Sequence, residues 1–137
     1  MIEGLLLTPL KVIENPKGDI YHALKSSSSG YEGFGEVYFS SVLKGQIKGW
    51  KRHKRLALNI VVPYGEIQFY LFDDKKYYFY DVTIGIKENY KRITIPSGVW
   101  VAFKGKSEFN LLMNFIAEEH DPDEADNKDL SAIPLPI

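Results

Sequence analysis

Residues 45–65 read GQIKGWKRHKRLALNIVVPYG, and residues 95–105 read IPSGVWVAFKG. Both stretches contain short runs of β-branched and aromatic residues, interrupted by the turn sequences Pro63-Tyr64-Gly65 and Pro96-Ser97-Gly98. Short runs between frequent turn signals are typical of strands, and no long stretch of this chain keeps a helical period. The pattern therefore predicts an all-β sandwich or barrel.

The same punctuation continues along the rest of the chain and predicts ten strands. One short helix is expected near 122–127, because Asp121-Pro122 resembles an N-cap followed by proline at the first helical position. The expected strands cover residues 4–7, 20–24, 34–42, 47–53, 57–62, 66–72, 77–83, 91–95, 99–103 and 108–116.

Composition limits the classes of function. The chain has 137 residues, of which 45% are hydrophobic, and this suits one domain with its own core over 1–137. A net charge of -1 provides no general attraction to nucleic acid or to anionic lipid. The absence of cysteine excludes disulfides and thiolate metal sites and fits a cytoplasmic protein. The opening MIEGLLLTPL is too short and too acidic for a signal peptide, and no run approaches the ~20 apolar residues of a membrane helix.

The glycines and prolines of the two opening stretches resemble the frame of the cupin superfamily. Gly45 and Gly65 stand at the two ends of the first cupin motif, and Pro96 and Gly98 stand at the start of the second. The resemblance implies a cupin-type double-stranded β-helix, which is a jelly-roll barrel.

The metal-ligand positions of the same motifs are mostly changed. His53 fills one histidine position, whereas Lys51, Leu58 and Val101 fill the other three ligand positions. Metal-dependent cupins need three or four histidine or carboxylate ligands. We therefore expect no metal and no cofactor, and we rank a metal-dependent oxygenase or isomerase low.

Three segments, KGDIYHAL, GEVYFSSVLKGQIKGWKRH, and IPSGVW with NFIAEEHDPDE behind it, resemble one branch of the superfamily. That branch is the dTDP-4-dehydrorhamnose 3,5-epimerase family with its relatives, the nucleotide-sugar 3,4-ketoisomerases, and the likeness covers roughly residues 10–125. It implies a homodimer that isomerises a nucleotide-diphosphate sugar with a 4-keto group, in surface-polysaccharide biosynthesis.

The chain departs from this family at two catalytic positions. Lys51 stands where the epimerases have their catalytic histidine, and the strand FNLLMN lacks the family tyrosine. A non-catalytic cupin that binds a nucleotide sugar or assists a partner enzyme is therefore the alternative hypothesis.

Side chains alternate between the two faces of a strand, so His53, Lys51 and Arg55 are expected to share a face, with Trp50 on the other. If that face lines the barrel, the row makes a cationic lumen suited to a diphosphate. If it faces water, KRHKR is an ordinary solvated strand. In the first case His53 is a candidate base and Lys51 would stabilise the enolate; the reverse assignment is also open.

The remaining candidate residues are predicted to bind substrate. Asn59 follows the same alternation as His53, and Glu36 and Tyr38 share one strand face. Asp19 and His22 lie in KGDIYHAL, where the family resemblance implies contacts with the substrate of a neighbouring subunit.

Two segments have open interpretations. The run Ser26–Ser29 is expected to be a flexible loop, either a hairpin end or a lid. The ending SAIPLPI is too rich in proline for a central strand, and it packs either on its own barrel or across a dimer interface.

Overall fold

The computed structural model describes residues 2–136, which form two five-stranded antiparallel sheets and one small hairpin. Sheet 1 has the order β1-β9-β6-β11-β4, sheet 2 has the order β12-β5-β10-β7-β8, and β2 pairs with β3. Two 3₁₀ turns cover Pro122–Glu124 and Leu130–Ala132. The strands are β1 Leu6–Pro9, β2 Val12–Ile13, β3 Ile20–Tyr21, β4 Glu36–Leu43, β5 Ile47–His53, β6 Leu58–Tyr64, β7 Glu66–Asp73, β8 Tyr78–Gly85, β9 Lys91–Ile95, β10 Trp100–Gly105, β11 Phe109–Ile116 and β12 Ala125–Asn127.

The prediction of an all-β architecture is confirmed, and the short helix expected near 122–127 is present as a single 3₁₀ turn over Pro122–Glu124. Asp121 does accept a hydrogen bond from the amide of Asp123, as expected of an N-cap. The turn then stops after Glu124, because the next residues form β12 and pair with the edge of β5. Within residues 2–136, no helical segment has the length and hydropathy needed to span a bilayer.

The main core lies between the two sheets. Alternate residues of each strand contribute to it, for example Ile93 and Ile95 of β9 from sheet 1 and Phe69 and Leu71 of β7 from sheet 2. Because successive side chains of a strand point to opposite faces, Arg92 and Thr94 of β9 must lie on the outer face of sheet 1.

A second cluster covers the outer face of sheet 2. Trp50, Trp100 and Tyr70 pack there against Ile133 of the C-terminal segment. The Trp50 indole Nε1 donates a hydrogen bond of 3.0 Å to the Ile133 carbonyl. Of the two interpretations of the apolar ending, packing on its own barrel is confirmed.

A β-bulge interrupts the pairing of β5 with β10. Val101 lies opposite Lys51, but Ala102 lies opposite Gly49, so Trp50 has no partner in the register. Gly49 has φ +145°, and a Cβ there would stand 2.6 Å from the Cβ of Ala102. Only glycine fits this close approach, and the bulge shifts the alternation of β5 by one residue.

Candidate active site

A cavity of about 270 Å³ lies between the sheets, where the two halves of the barrel leave the core unfilled. Sheet 2 contributes Lys48, Lys51 and His53 from β5, and sheet 1 contributes Tyr38 from β4 and Asn114 from β11. The remaining wall is mostly apolar and includes Leu58, Ile60, Val101, Phe103 and Leu112. Among the described residues, no carboxylate lines this cavity.

His53 is buried at the end of β5 and is held by Glu124. The His53 Nδ1 and the Glu124 Oε1 are 2.5 Å apart. The contact forms because β12 pairs with β5 and places Ala125 opposite His53. Since a carboxylate can only accept at this contact, Nδ1 carries the hydrogen and Nε2 is the ring nitrogen left for the cavity.

Three groups donate hydrogen bonds to the Glu124 carboxylate. The backbone amides of Arg55 and Leu56 donate to Oε2 at 2.9 and 3.0 Å, and His53 donates to Oε1. Burial by itself would raise the pKa of Glu124, but these hydrogen bonds outweigh it and lower the pKa to about 2. Glu124 is therefore a fixed anion at neutral pH, oriented towards His53.

Two lysines bring positive charge to the cavity. Lys51 is half-buried, and no carboxylate in residues 2–136 lies within ion-pair distance of it. The Lys48 Nζ donates to the Ser40 Oγ at 2.8 Å and lies 5.6 Å from the centre of the Phe103 ring. The bulge brings both lysines to the same side of β5, although their spacing would place them on opposite faces of a regular strand.

A tyrosine hydroxyl enters the cavity from sheet 1. Tyr38 lies opposite Asn114 in the β4–β11 pair, and the Asn114 Nδ2 donates to the Tyr38 Oη at 2.9 Å. The Tyr38 hydroxyl hydrogen is therefore free to be donated elsewhere. The Asn114 Oδ1 is buried and has no hydrogen-bond partner among the described residues, so the cavity also offers an unfilled acceptor.

Of the expected cationic row, Lys51 and His53 face the cavity and Arg55 does not. Arg55 lies beyond the end of β5, is exposed, and donates to Glu118 at 2.6 Å. The strand ends at His53, so the alternation on which the prediction for Arg55 relied stops there.

Asn59 lies on the outer face of sheet 1, which corrects its expected place in the lumen. Its Oδ1 accepts from Thr94 and its Nδ2 donates to the Gly30 carbonyl. The turn between β5 and β6 resets the alternation, and Leu58 and Ile60 face the cavity instead.

Three other predicted substrate contacts lie outside the cavity within one chain. Glu36, at the start of β4, accepts a hydrogen bond from the His120 amide. Asp19 accepts from the Asn15 amide in the turn before β3. His22 follows β3 and lies beside a separate hollow on the outer face of sheet 1.

Sequence reasoning missed Glu124, Lys48 and Asn114. Glu124 sits in the acidic run EEHDPDE, which has the composition of a solvated loop, yet it is only 2% exposed. Regular alternation would place Lys48 on the face of β5 opposite Lys51, and only the bulge brings it to the cavity. Gly49 was the sequence sign of that bulge, since a glycine inside a strand often marks one. Asn114 gives no local signal, since its place depends on the pairing of β11 with β4.

The donor set of the cavity does not fit a metal ion. Among the described residues, no three histidine, cysteine or carboxylate side chains are grouped as metal ligands. His53 already uses Nδ1 on Glu124, and the neighbouring Lys51 and Lys48 are cationic. Ammonium groups repel a metal cation and have no lone pair to offer it while protonated.

Solved structures with the same fold include several enzymes of nucleotide-sugar metabolism. A dTDP-sugar isomerase from Desulfovibrio desulfuricans superposes with a TM-score of 0.92 at 31% identity, over 99% of this chain and 90% of that one. A sugar 3,4-ketoisomerase, QdtA, from Thermoanaerobacterium thermosaccharolyticum, solved with TDP, has a TM-score of 0.80 at 17% identity, over 92% and 89%. A 3'-monoepimerase, ChmJ, from Streptomyces bikiniensis, solved with dTDP-quinovose, has a TM-score of 0.85 at 14% identity, over 98% and 76%.

No protein-family model matches the chain, and no curated protein matches its sequence. The two more distant structures share the fold, and the expected cupin barrel is confirmed by them. The first one extends the likeness to sequence over nearly the full length of both chains. The protein therefore belongs to the cupin family of dTDP-sugar isomerases and epimerases.

Proposed function

We propose that the protein is a metal-independent epimerase or ketoisomerase of a nucleotide-linked 4-keto sugar, acting in the cytoplasm in surface-polysaccharide biosynthesis. The observation that carries the proposal is the buried His53–Glu124 pair, whose free ring nitrogen is left for a cavity containing Lys51. The related isomerase, ketoisomerase and epimerase structures support the substrate class. A merely binding cupin is not favoured, because it has no use for a histidine held in one tautomer by a buried carboxylate.

His53 is the proposed base. Its Nε2 takes a proton from the sugar carbon beside the carbonyl. The C–H electron pair forms the new C=C bond, and the π pair of the carbonyl moves onto its oxygen. The imidazolium that results is stabilised by the Glu124 carboxylate. Lys51 stabilises the enolate oxygen, which carries negative charge only after proton removal. The reverse assignment is less well supported, since Lys51 has no hydrogen-bonded partner comparable to Glu124.

Tyr38 is the proposed proton donor for the second half of the reaction. A proton returned to the same carbon from the other face epimerises the sugar. A proton returned to the former carbonyl carbon, with a proton transferred between the two oxygens, moves the keto group to the neighbouring carbon. Lys48 is proposed to bind the nucleotide diphosphate at the edge of the cavity.

We also propose a homodimer formed by the outer face of sheet 1. The side chains of β4 and β11 expose a row of apolar groups there: Val37 at 38%, Phe39 at 61%, Leu43 at 58% and Phe109 at 44%. Adjacent exposed apolar groups mark interaction surfaces. In such a dimer the proposed contacts of Asp19 and His22 would be with substrate bound by the partner subunit.

The test measures deuterium exchange at the carbons beside the keto group of dTDP-4-keto-6-deoxyglucose in D₂O, by NMR. We expect exchange with the wild-type protein and a loss of about 100-fold or more in His53→Gln and Lys51→Gln. Lys54→Gln is the matched control, since Lys54 lies on the outer side next to Asp126. Binding of dTDP without exchange in the wild type would instead identify a non-catalytic binding protein.

A further inference from the structure

A second hollow, of about 300 Å³, lies on the outer face of sheet 1. It is bounded by β1, by β9 and by the segment 22–28, which overlaps the serine-rich run Ser26–Ser29. That run lies against the sheet, where the Ser29 carbonyl accepts a hydrogen bond from Arg92. Sheet 1 itself separates the hollow from the candidate active site.

Arg92 forms part of the inner wall of this hollow and is only 1% exposed. Its Nη1 donates to the Ala23 carbonyl at 2.9 Å and its Nη2 to the Ser29 carbonyl at 3.0 Å. Its Nε is buried without a hydrogen-bond partner, and no carboxylate in residues 2–136 pairs with it. A buried guanidinium with neither a counter-ion nor a full set of acceptors is destabilising.

His22 provides a second unfilled group beside the same hollow. Its Nε2 is buried and has no hydrogen-bond partner among the described residues. Two exposed lysines, Lys11 and Lys25, stand at the rim, and Ser27 and Ser28 complete that side. The lining contains three cations and no carboxylate.

We propose that this hollow binds a small oxyanion, namely phosphate or the phosphate group of a monoester. Such an anion provides the counter-ion that Arg92 lacks and accepts hydrogen bonds from nitrogen donors such as His22 and the rim lysines. It would also fasten residues 22–29 to the sheet, since Arg92 already donates hydrogen bonds to the carbonyls of Ala23 and Ser29. Within one chain the site is separate from the barrel cavity, because it lies on the other face of the sheet and shares no lining residue with that cavity.

The test compares thermal unfolding in potassium phosphate with unfolding in potassium chloride at equal ionic strength. We expect a rise in Tm of roughly 4 °C once phosphate exceeds its Kd tenfold. The variants are His22→Gln and Lys25→Gln, because Arg92 also holds the segment in place and its removal would confound folding with binding. Both should lose at least half of the shift, and Lys87→Gln, an exposed lysine outside the hollow, should keep it.

Two further measurements locate the anion. The double variant Lys51→Gln with His53→Gln should keep the full phosphate shift, since it changes only the barrel cavity. In protein labelled with ¹⁵N-histidine, phosphate should move the ring resonances of His22. A larger shift with glucose 1-phosphate than with equal inorganic phosphate would identify a monoester as the preferred ligand. The proposal is overturned if chloride stabilises as well as phosphate, or if His22→Gln and Lys25→Gln retain the whole shift.

Discussion

At the scale of single residues, His53 and Glu124 define the candidate site. They are 71 residues apart in the chain and meet at 2.5 Å. His53 was recognisable from its place in the cupin frame, whereas Glu124 was concealed in an acidic run. The difference arises because the frame is a local pattern and the contact depends on the pairing of β12 with β5.

Glu124 predicts how stability depends on pH. Its pKa is lowered on folding to about 2. A lowered pKa stabilises the fold fully above the ordinary value near 4.5, and this stabilisation is lost as the pH falls through about 2. Urea unfolding between pH 6 and pH 2 should show that the wild type loses about 3 kcal/mol more than Glu124→Gln over this range.

Glu119→Gln is the control for that series, since Glu119 is exposed in the same acidic run. It should follow the wild-type curve. Parallel pH curves for the wild type and Glu124→Gln would show that the Glu124 carboxylate does not have its lowered pKa in solution.

Tyr38→Phe tests whether His53 acts as the base and Tyr38 acts as the separate proton donor. Without the hydroxyl, the product should form about 100-fold or more slowly, because the second proton transfer lacks its donor. Deuterium exchange into the substrate should continue, since His53 and Lys51 are intact. NMR of one reaction in D₂O measures both rates.

Tyr77→Phe is the matched control, because Tyr77 is 76% exposed and lies outside the cavity. Unchanged product formation in Tyr38→Phe would remove Tyr38 from the mechanism. An equal loss of exchange and product formation would assign it to substrate binding instead.

At the scale of elements, the bulge on β5 decides which cations face the cavity. Regular alternation places Lys51 and His53 on one face and Lys48 on the other. The unpaired Trp50 shifts the register, so Lys48 joins Lys51 while the Trp50 indole packs under the C-terminal segment.

Gly49→Ala should disrupt this element. Its Cβ would lie 2.6 Å from the Cβ of Ala102 and 2.9 Å from the Val101 carbonyl oxygen, on a backbone with φ +145°. Gly18→Ala is matched for backbone conformation, with φ +135°, but has nothing within 4 Å of the added Cβ. We expect Gly49→Ala to cost about 1–3 kcal/mol more in free energy of unfolding than Gly18→Ala.

Urea denaturation of the two variants measures that difference. Equal destabilisation would mean that the close approach of β5 and β10 at the bulge has no energetic importance. Loss of dTDP binding in Gly49→Ala, with the fold retained, would show that the bulge also positions the cavity lysines.

At the scale of the whole molecule, the two outer faces are covered differently. The C-terminal segment covers sheet 2, with Ile133 only 6% exposed. Phe39, at 61% exposed, remains uncovered on sheet 1. The proposed dimer therefore uses the face that the chain does not cover itself, and the proposed anion site lies near β1, at the opposite edge of the same sheet.

Phe39→Lys should convert a dimer into a folded monomer, because it places a charge in the centre of the apolar surface. Light scattering at micromolar concentration measures the mass, and circular dichroism verifies the fold. Tyr77→Lys alters an even more exposed aromatic residue, which precedes the edge strand β8 of sheet 2, and should stay dimeric. A wild-type mass of one chain, or a dimeric Phe39→Lys, would contradict the proposed interface.

The sequence by itself predicted the barrel and three of the side chains that line its cavity, namely Lys51, His53 and Tyr38. Strand positions follow from local chemistry, since apolar alternation and turn residues act over a few neighbours. The places of Lys51 and His53 follow from the same short-range pattern. The strands predicted at 47–53 and 91–95 match β5 and β9 residue for residue.

Only the tertiary structure decided how the site is completed. Arg55 lies outside the cavity because β5 ends at His53. Asn59 lies on the outer face of sheet 1 because the turn before β6 changes the alternation of side chains. The pairing of β12 with β5 brings Glu124 to His53, and the pairing of β11 with β4 brings Asn114 to Tyr38. The bulge on β5 places Lys48 at the cavity. Such placements depend on hydrogen bonds and packing between segments far apart in the chain, and no local pattern of residues records which segments will meet.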